Sequence, residues 1–243
     1  MSPPTEESAL STQPRTGTGR ELSGARIAVV GASGALGSLI AAELAGRGAR
    51  LLLVGRDADR LAALGHGVPV VADLGDARAG DDVAAAAREH LGGLDGLVNA
   101  AGVVAFGTLA DTPDEVVEEL FLTNVVGPLF LLRRVLPLLE ESQGFLLQVS
   151  AVVAERPMPR MAAYSASKAA LSAVATALRT ELRRSRVDVY DARPPHTETG
   201  LAARPLAGTA PGLPTGKDPA DVARRIVDAL ASGEQDLGAG AFE

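Results

Sequence analysis

The stretch Ile27-Ala28-Val29-Val30-Gly31-Ala32-Ser33-Gly34-Ala35-Leu36-Gly37 passes from an apolar segment straight into three glycines, and an Ala/Leu-rich segment follows as far as Gly46. A short apolar run without alternation is the pattern of a strand buried on both faces, and residues 37–46 read as a helix. Strand, glycine turn and helix in this order have a physical use. Glycine lets the backbone turn sharply and lets a pyrophosphate come close. The helix N-terminus adds free N–H groups and the positive end of its dipole. Gly31, Ser33, Gly34, Ala35, Leu36 and Gly37 are therefore candidates for the phosphate cradle of a dinucleotide site.

The same rhythm continues outward. Apolar runs recur at Leu51–Val54, Val68–Val71, Gly96–Val98, Phe145–Val149 and Val187–Asp191, and helical stretches over 81–90, 113–140, 162–184 and 220–231 alternate with them. Strands alternating with helices build right-handed βαβ units. The expected fold class is α/β, a doubly wound, Rossmann-like parallel sheet in a single domain over 23–243. Residues 1–22 are rich in Ser, Thr, Pro and Gly without apolar periodicity and read as a disordered tail. Pro205–Pro219 carries four prolines and three glycines. With Leu201, Leu206 and Leu213 it suggests an apolar substrate loop at about 200–218.

Composition narrows the classes. A chain of 243 residues suits one such domain, and 47% hydrophobic residues with only 3% aromatics imply a core of Ala, Val and Leu. The absence of cysteine excludes disulfides and thiolate chemistry, and three scattered histidines suggest no metal site. A net charge of −7 argues against a nucleic-acid partner. No apolar stretch approaches the roughly 20 residues of a membrane span, and no signal peptide is apparent. The expectation is a cytoplasmic protein with a small-molecule substrate.

The second strand ends Val54-Gly55-Arg56, with Arg60 one helical turn on. An NAD-selective site puts a carboxylate there for the ribose 2′-hydroxyl, whereas a guanidinium suits a 2′-phosphate. NADP is thus the preferred cofactor, with NAD still possible, and Arg56 could equally pair with its neighbour Asp57. On the helix over 162–184, Tyr164 and Lys168 lie four residues apart and so share a face. A tyrosine of ordinary pKa, about 10, is a poor acid or base near neutrality. A nearby ammonium and an oxidised nicotinamide would favour its phenolate.

These motifs together resemble the short-chain dehydrogenase/reductase family, in its compact single-domain form, over nearly all of 24–240. The resemblance is carried by the glycine turn, Asp73-Leu74, Asn99-Ala100-Ala101-Gly102, Asn124, Tyr164-Ser165-Ala166-Ser167-Lys168, and Arg193-Pro194 ahead of Thr199. It implies that Asp73, with Leu74, meets the adenine edge and that Asn99, Ala100 and Gly102 shape the wall near the ribose. Asn124 would hold a helix kink and a relay water, and Lys168 would bind the nicotinamide ribose. Tyr164 would exchange the proton with the substrate oxygen. Pro194, Thr197 and Thr199 would touch the carboxamide or phosphates.

The chain also departs from the family pattern. The family places a serine thirteen residues before the tyrosine, and this chain has Ala151 there, with Ser150 one residue early. Neighbouring strand residues face opposite ways, so Ser150 should point away from the substrate unless a bulge re-aims it. His196, after the strand that ends beside the nicotinamide, is a further catalytic candidate. Pro195 stands where the family has glycine, and the three-and-three glycine spacing resembles its extended and atypical branches.

Three readings follow. The first is an NADP-preferring oxidoreductase moving a hydride between nicotinamide and a carbonyl or secondary alcohol, with Tyr164 as acid/base. The second, prompted by Ala151, is a non-redox enzyme of the same fold, such as a cyclase, dehydratase or epimerase. The third is a non-catalytic cofactor-binding protein. The long apolar helices over 113–140 and 162–184, which pair across a two-fold axis in the family, suggest a homodimer or homotetramer.

Overall fold

The computed structural model describes residues 19–243. Seven strands form one sheet: β1 (Arg26–Val30), β2 (Arg50–Gly55), β3 (Val68–Val71), β4 (Gly96–Asn99), β5 (Phe145–Val149), β6 (Asp188–Ala192) and β7 (Asp236–Leu237). Their order is β3-β2-β1-β4-β5-β6-β7, and every pairing is parallel. The chain runs outward from β1 to β3, then crosses to β4 on the other side of β1. That reversal opens a crevice at the strands' C-terminal ends.

Seven α-helices cover the sheet: α1 (Ala35–Gly46), α2 (Ala58–Ala62), α3 (Ala79–Ala86), α4 (Asp114–Phe121), α5 (Gly127–Ser142), α6 (Ala162–Glu181) and α7 (Pro219–Ser232). The inner strands read as uninterrupted apolar runs because both faces are covered. Ile27 and Val29 enter one buried cluster with Ile40 and Leu44 of α1 and Ile226 and Leu230 of α7. Ala28 and Val30, pointing the other way, join Val83 of α3 and Leu131, Val135 and Leu138 of α5.

Several expectations need correction. Residues 1–18 of the expected tail lie outside the described residues, but the last part of it is docked. Arg20 N donates to Leu230 O at 3.0 Å, Arg20 Nη2 meets Asp188 Oδ2 at 2.5 Å, and Leu22 is 4% exposed within the core. One buried leucine and a clamping arginine are too little sequence to create visible periodicity. β3 is an edge strand only partly buried on one face and exposed on the other, with Val71 57% exposed. β7 was not expected, since two residues make no pattern. The helix expected over 113–140 is interrupted by a π-helical turn at Leu122–Val126. The continuous helical run Asp114–Ser142 is long and apolar enough by length and composition to cross a membrane, contrary to the sequence reading. Here it packs on the sheet, its apolar side taken up by α3 and the strands.

Candidate active site

The first turn is built by close packing. Gly31 has φ +79°, and a β-carbon there would lie 2.7 Å from Ala101 N. A side chain at Gly37 would meet Gly31 O at 2.2 Å. Glycine at both positions lets α1 start directly against the end of β1. Its first hydrogen-bonded amide is Ser38 N to Gly34 O at 2.9 Å. The N–H groups of Ala35, Leu36 and Gly37 therefore have no partner within the helix and point at the crevice with its positive dipole end.

From this turn a cavity of about 360 Å³ runs along the strand ends. Ser33, Gly34, Arg56, Arg60, Asp73 and Leu74 line one end of it, and Ala100 and Gly102 line the middle. Among the described residues Arg56 makes no ion pair, and Asp57 instead caps α2 by accepting from Arg60 N at 3.0 Å. Arg60 Nη2 donates to Ser33 O. Gly55 rather than a carboxylate ends β2, and it lets Ser33 Oγ come within 2.8 Å of where a β-carbon would lie. Asp73 turns locally, accepting from Gly75 N at 2.9 Å. Asn99 does not line the cavity. It sits beneath, 1% exposed, donating to Gln148 Oε1 at 2.8 Å and accepting from Ala101 N at 3.3 Å, so it shapes the wall from below.

The opposite end holds Tyr164, Lys168, Pro194, His196, Thr197 and Thr199. Tyr164 and Lys168 point inward from one face of α6 and are 7% and 5% exposed. Lys168 Nζ donates to Val149 O at 3.2 Å, and a β-carbon on Gly102 would lie 3.0 Å from that ammonium. Burial pushes the lysine down to about 8, while the Asp191 carboxylate acts to raise it. Burial also pushes Tyr164 up to about 12. The ammonium is directed at a backbone carbonyl, so in the protein by itself desolvation of the phenol dominates.

Asn124 lies in the π-helical turn, fully buried. Its Oδ1 accepts from Val103 N at 2.9 Å, and its Nδ2 donates to Val103 O at 2.9 Å and Ser167 Oγ at 3.0 Å. It thus ties the loop after β4 to the helix that carries the tyrosine. Ser150 reaches the cavity wall, but its hydroxyl donates to Asp191 Oδ1 at 2.6 Å, away from the space beside Tyr164. Ala151 presents only a methyl group. His196 Nε2 lies 3.4 Å from Glu198 Oε1.

Sequence reading missed the apolar wall around Tyr164. Val104, Phe106, Val152, Met158 and Met161 line it together with Leu201 and Leu213. They sit in loops, where isolated apolar residues carry no periodic signal. The loop above is stitched to this wall, Leu206 N to Val104 O at 2.8 Å and Phe106 N to Ala207 O at 2.9 Å. A parallel bridge between Thr197 and Lys217 closes its two ends.

The family model described as short chain dehydrogenase matches residues 25–208. Dehydrogenase/reductase SDR family member 7B of Mus musculus is 31% identical over 241 residues, covering 89% of this chain and 73% of the relative. An uncharacterized oxidoreductase of Staphylococcus saprophyticus is 30% identical, covering 84% of this chain and 91% of its own. A short chain dehydrogenase of Pseudocercospora fijiensis is 31% identical over 194 residues, and the chain spans 63% of its length. Among solved structures, a short chain dehydrogenase from Burkholderia cenocepacia in complex with NADP superposes with a TM-score of 0.81 at 26% identity, covering 91% of both chains.

Proposed function

The chain belongs to the short-chain dehydrogenase family, and from that premise we propose an NADP-preferring oxidoreductase acting on an apolar carbonyl compound or secondary alcohol. The observation that carries this reading is the single cavity joining the glycine turn and Arg56 at one end to Tyr164 and Lys168 at the other. The residues present fit a dinucleotide. The close-packed turn, the open amides of α1 and the continuity of the cavity suit a pyrophosphate flanked by two nucleoside halves. Arg56 and Arg60 suit a 2′-phosphate, and Gly55 leaves out the carboxylate that would repel it.

When bound, the nicotinamide supplies or accepts the hydride. The protein's part is orientation and proton handling. Lys168 would hold the nicotinamide-side ribose hydroxyls, Thr197 and Thr199 would lie along the same half, and Asn124 would keep the loop after β4 in register. The Tyr164 hydroxyl, held protonated by its buried setting, would donate to the carbonyl oxygen during reduction. The apolar wall excludes water and favours a substrate with little polarity beyond its carbonyl. Purified protein should oxidise NADPH with apolar ketones, and NADH more slowly. Absence of turnover with either cofactor across aliphatic and aromatic ketones would refute the reading. The methyl group of Ala151 favours a second reading, a non-redox step in the same cavity, for which NADPH would bind without being consumed.

A further inference from the structure

Behind the cavity wall lies a carboxylate that the proposed chemistry leaves unused. Asp191 on β6 is 1% exposed. It accepts from Ser150 Oγ at 2.6 Å, Ser172 Oγ at 2.5 Å and Arg193 Nη1 at 2.5 Å. A carboxylate taken out of water is strongly destabilising unless paired and hydrogen-bonded. These partners explain how the charge is tolerated, and their positions show what it touches. Ser172 follows Lys168 by one helical turn on the same face of α6. Ser150 follows Val149, whose carbonyl accepts from Lys168 Nζ at 3.2 Å. Asp191 therefore grips both segments between which the ammonium is held.

The surrounding charges point the same way. Arg193 also binds Glu155, in the turn after β5, and Asp236 of β7 at 2.5 Å. Arg179 reaches Asp236 at 3.9 Å. Two guanidinium groups thus stand against the three carboxylates of Asp191, Glu155 and Asp236, leaving the cluster one negative charge in surplus. Towards Lys168 itself, α6 presents Tyr164 and β6 presents Asp191. The π-helical turn presents neutral Asn124 and the loop after β4 presents Gly102, while His196 lines the cavity beyond. Asp191 is the carboxylate that acts on this lysine, and it opposes the effect of burial.

We propose that Asp191 is a positioning residue for Lys168, bracing its turn of α6 against the end of β5 and setting a buried negative charge behind it. Its effect on turnover rests on the reading of Lys168 as part of the reaction site, but its effect on the lysine does not. The chain contains two lysines, Lys168 and Lys217. Protein labelled with ¹³C-lysine therefore gives two side-chain Cε signals. Lys217→Arg assigns them, and exposed Lys217 is the internal reference in the wild type. Titrating the protein by NMR without added nucleotide reads the lysine directly.

The expected result is a Lys168 midpoint about one pH unit lower in Asp191→Asn, with Lys217 unmoved. Ser172→Ala keeps the carboxylate and should shift the midpoint far less. An unchanged Lys168 midpoint in Asp191→Asn with an unaltered melting curve overturns the proposal. Should the asparagine amide clash with Arg193 and prevent folding, Asp191→Ser removes the charge without a competing donor, and the same criterion applies. In turnover assays the alkaline limb of kcat/KM should descend by the same interval. A shifted NMR midpoint with an unshifted limb would uphold Asp191's hold on Lys168 and overturn the lysine's place in the reaction.

Discussion

At the scale of single residues, the site turns on a methyl group. Ala151 stands where a hydroxyl would hold the substrate oxygen beside Tyr164, and Ser150 is committed to Asp191 at 2.6 Å. Ala151→Ser should raise kcat/KM for ketone reduction by up to about 10²-fold, within the range a single oxyanion donor contributes. No gain would mean that another group already holds that oxygen. Tyr164→Phe should lower kcat by about 10²–10⁴-fold with NADPH affinity retained, as expected for loss of a general acid, measured by steady-state kinetics and fluorescence titration. Arg56→Gln should weaken NADPH binding by about tenfold or more and leave NADH nearly unchanged, since a charge-assisted hydrogen bond contributes on the order of 1.5–3 kcal/mol. The departure at Ala151 was readable by counting back from Tyr164. Asp191 was not, because Asp188 and Asp191 share one short run and nothing in the sequence says which of them is buried.

At the scale of elements, the inner strands were legible because they are buried on both faces, and the register of residues 27–30 into two opposed clusters explains their unbroken apolar runs. What sequence could not supply was the fixing of irregular segments, which depends on backbone bonds between residues far apart in the chain. The loop over 200–217 is the clearest case. Its proline content marks irregularity, yet nothing in it announces the bonds to Val104 and Phe106. Gly208 is the tight point, with φ +74° and a β-carbon that would fall 1.8 Å from Phe106 O. Gly208→Ala must displace this stitch. The expected outcome is a several-fold higher KM for ketone with the Kd for NADPH little changed, and equal loss of both would place the stitch in the wrong half of the cavity.

At the scale of the whole molecule, the buried ammonium weakens the fold that holds it. Burial draws Lys168 down to about 8, from the 10.5 of a free lysine side chain. Below the lower value both states carry the proton and the full penalty applies, and it is relieved as pH rises from about 8 towards 10.5. The penalty is on the order of 3 kcal/mol. Lys168→Met should therefore raise stability in denaturant melts at neutral pH, with the difference shrinking above pH 8. A destabilised variant at neutral pH would contradict this. We further propose self-association through α5 and α6, whose outer face presents exposed Ala162, Ala166 and Ala173 for close helix contact. Light scattering should give a multiple of the chain mass, and the mass of one chain would refute it. The bridge from Thr197 to Lys217 has a practical consequence as well. With Lys168 shielded, Lys217 is the lysine amine open to acylating reagents, so a coupling made through lysine would tether the protein at the hem of its own loop. Beads loaded in this way should lose activity that the same protein keeps when captured through an affinity tag.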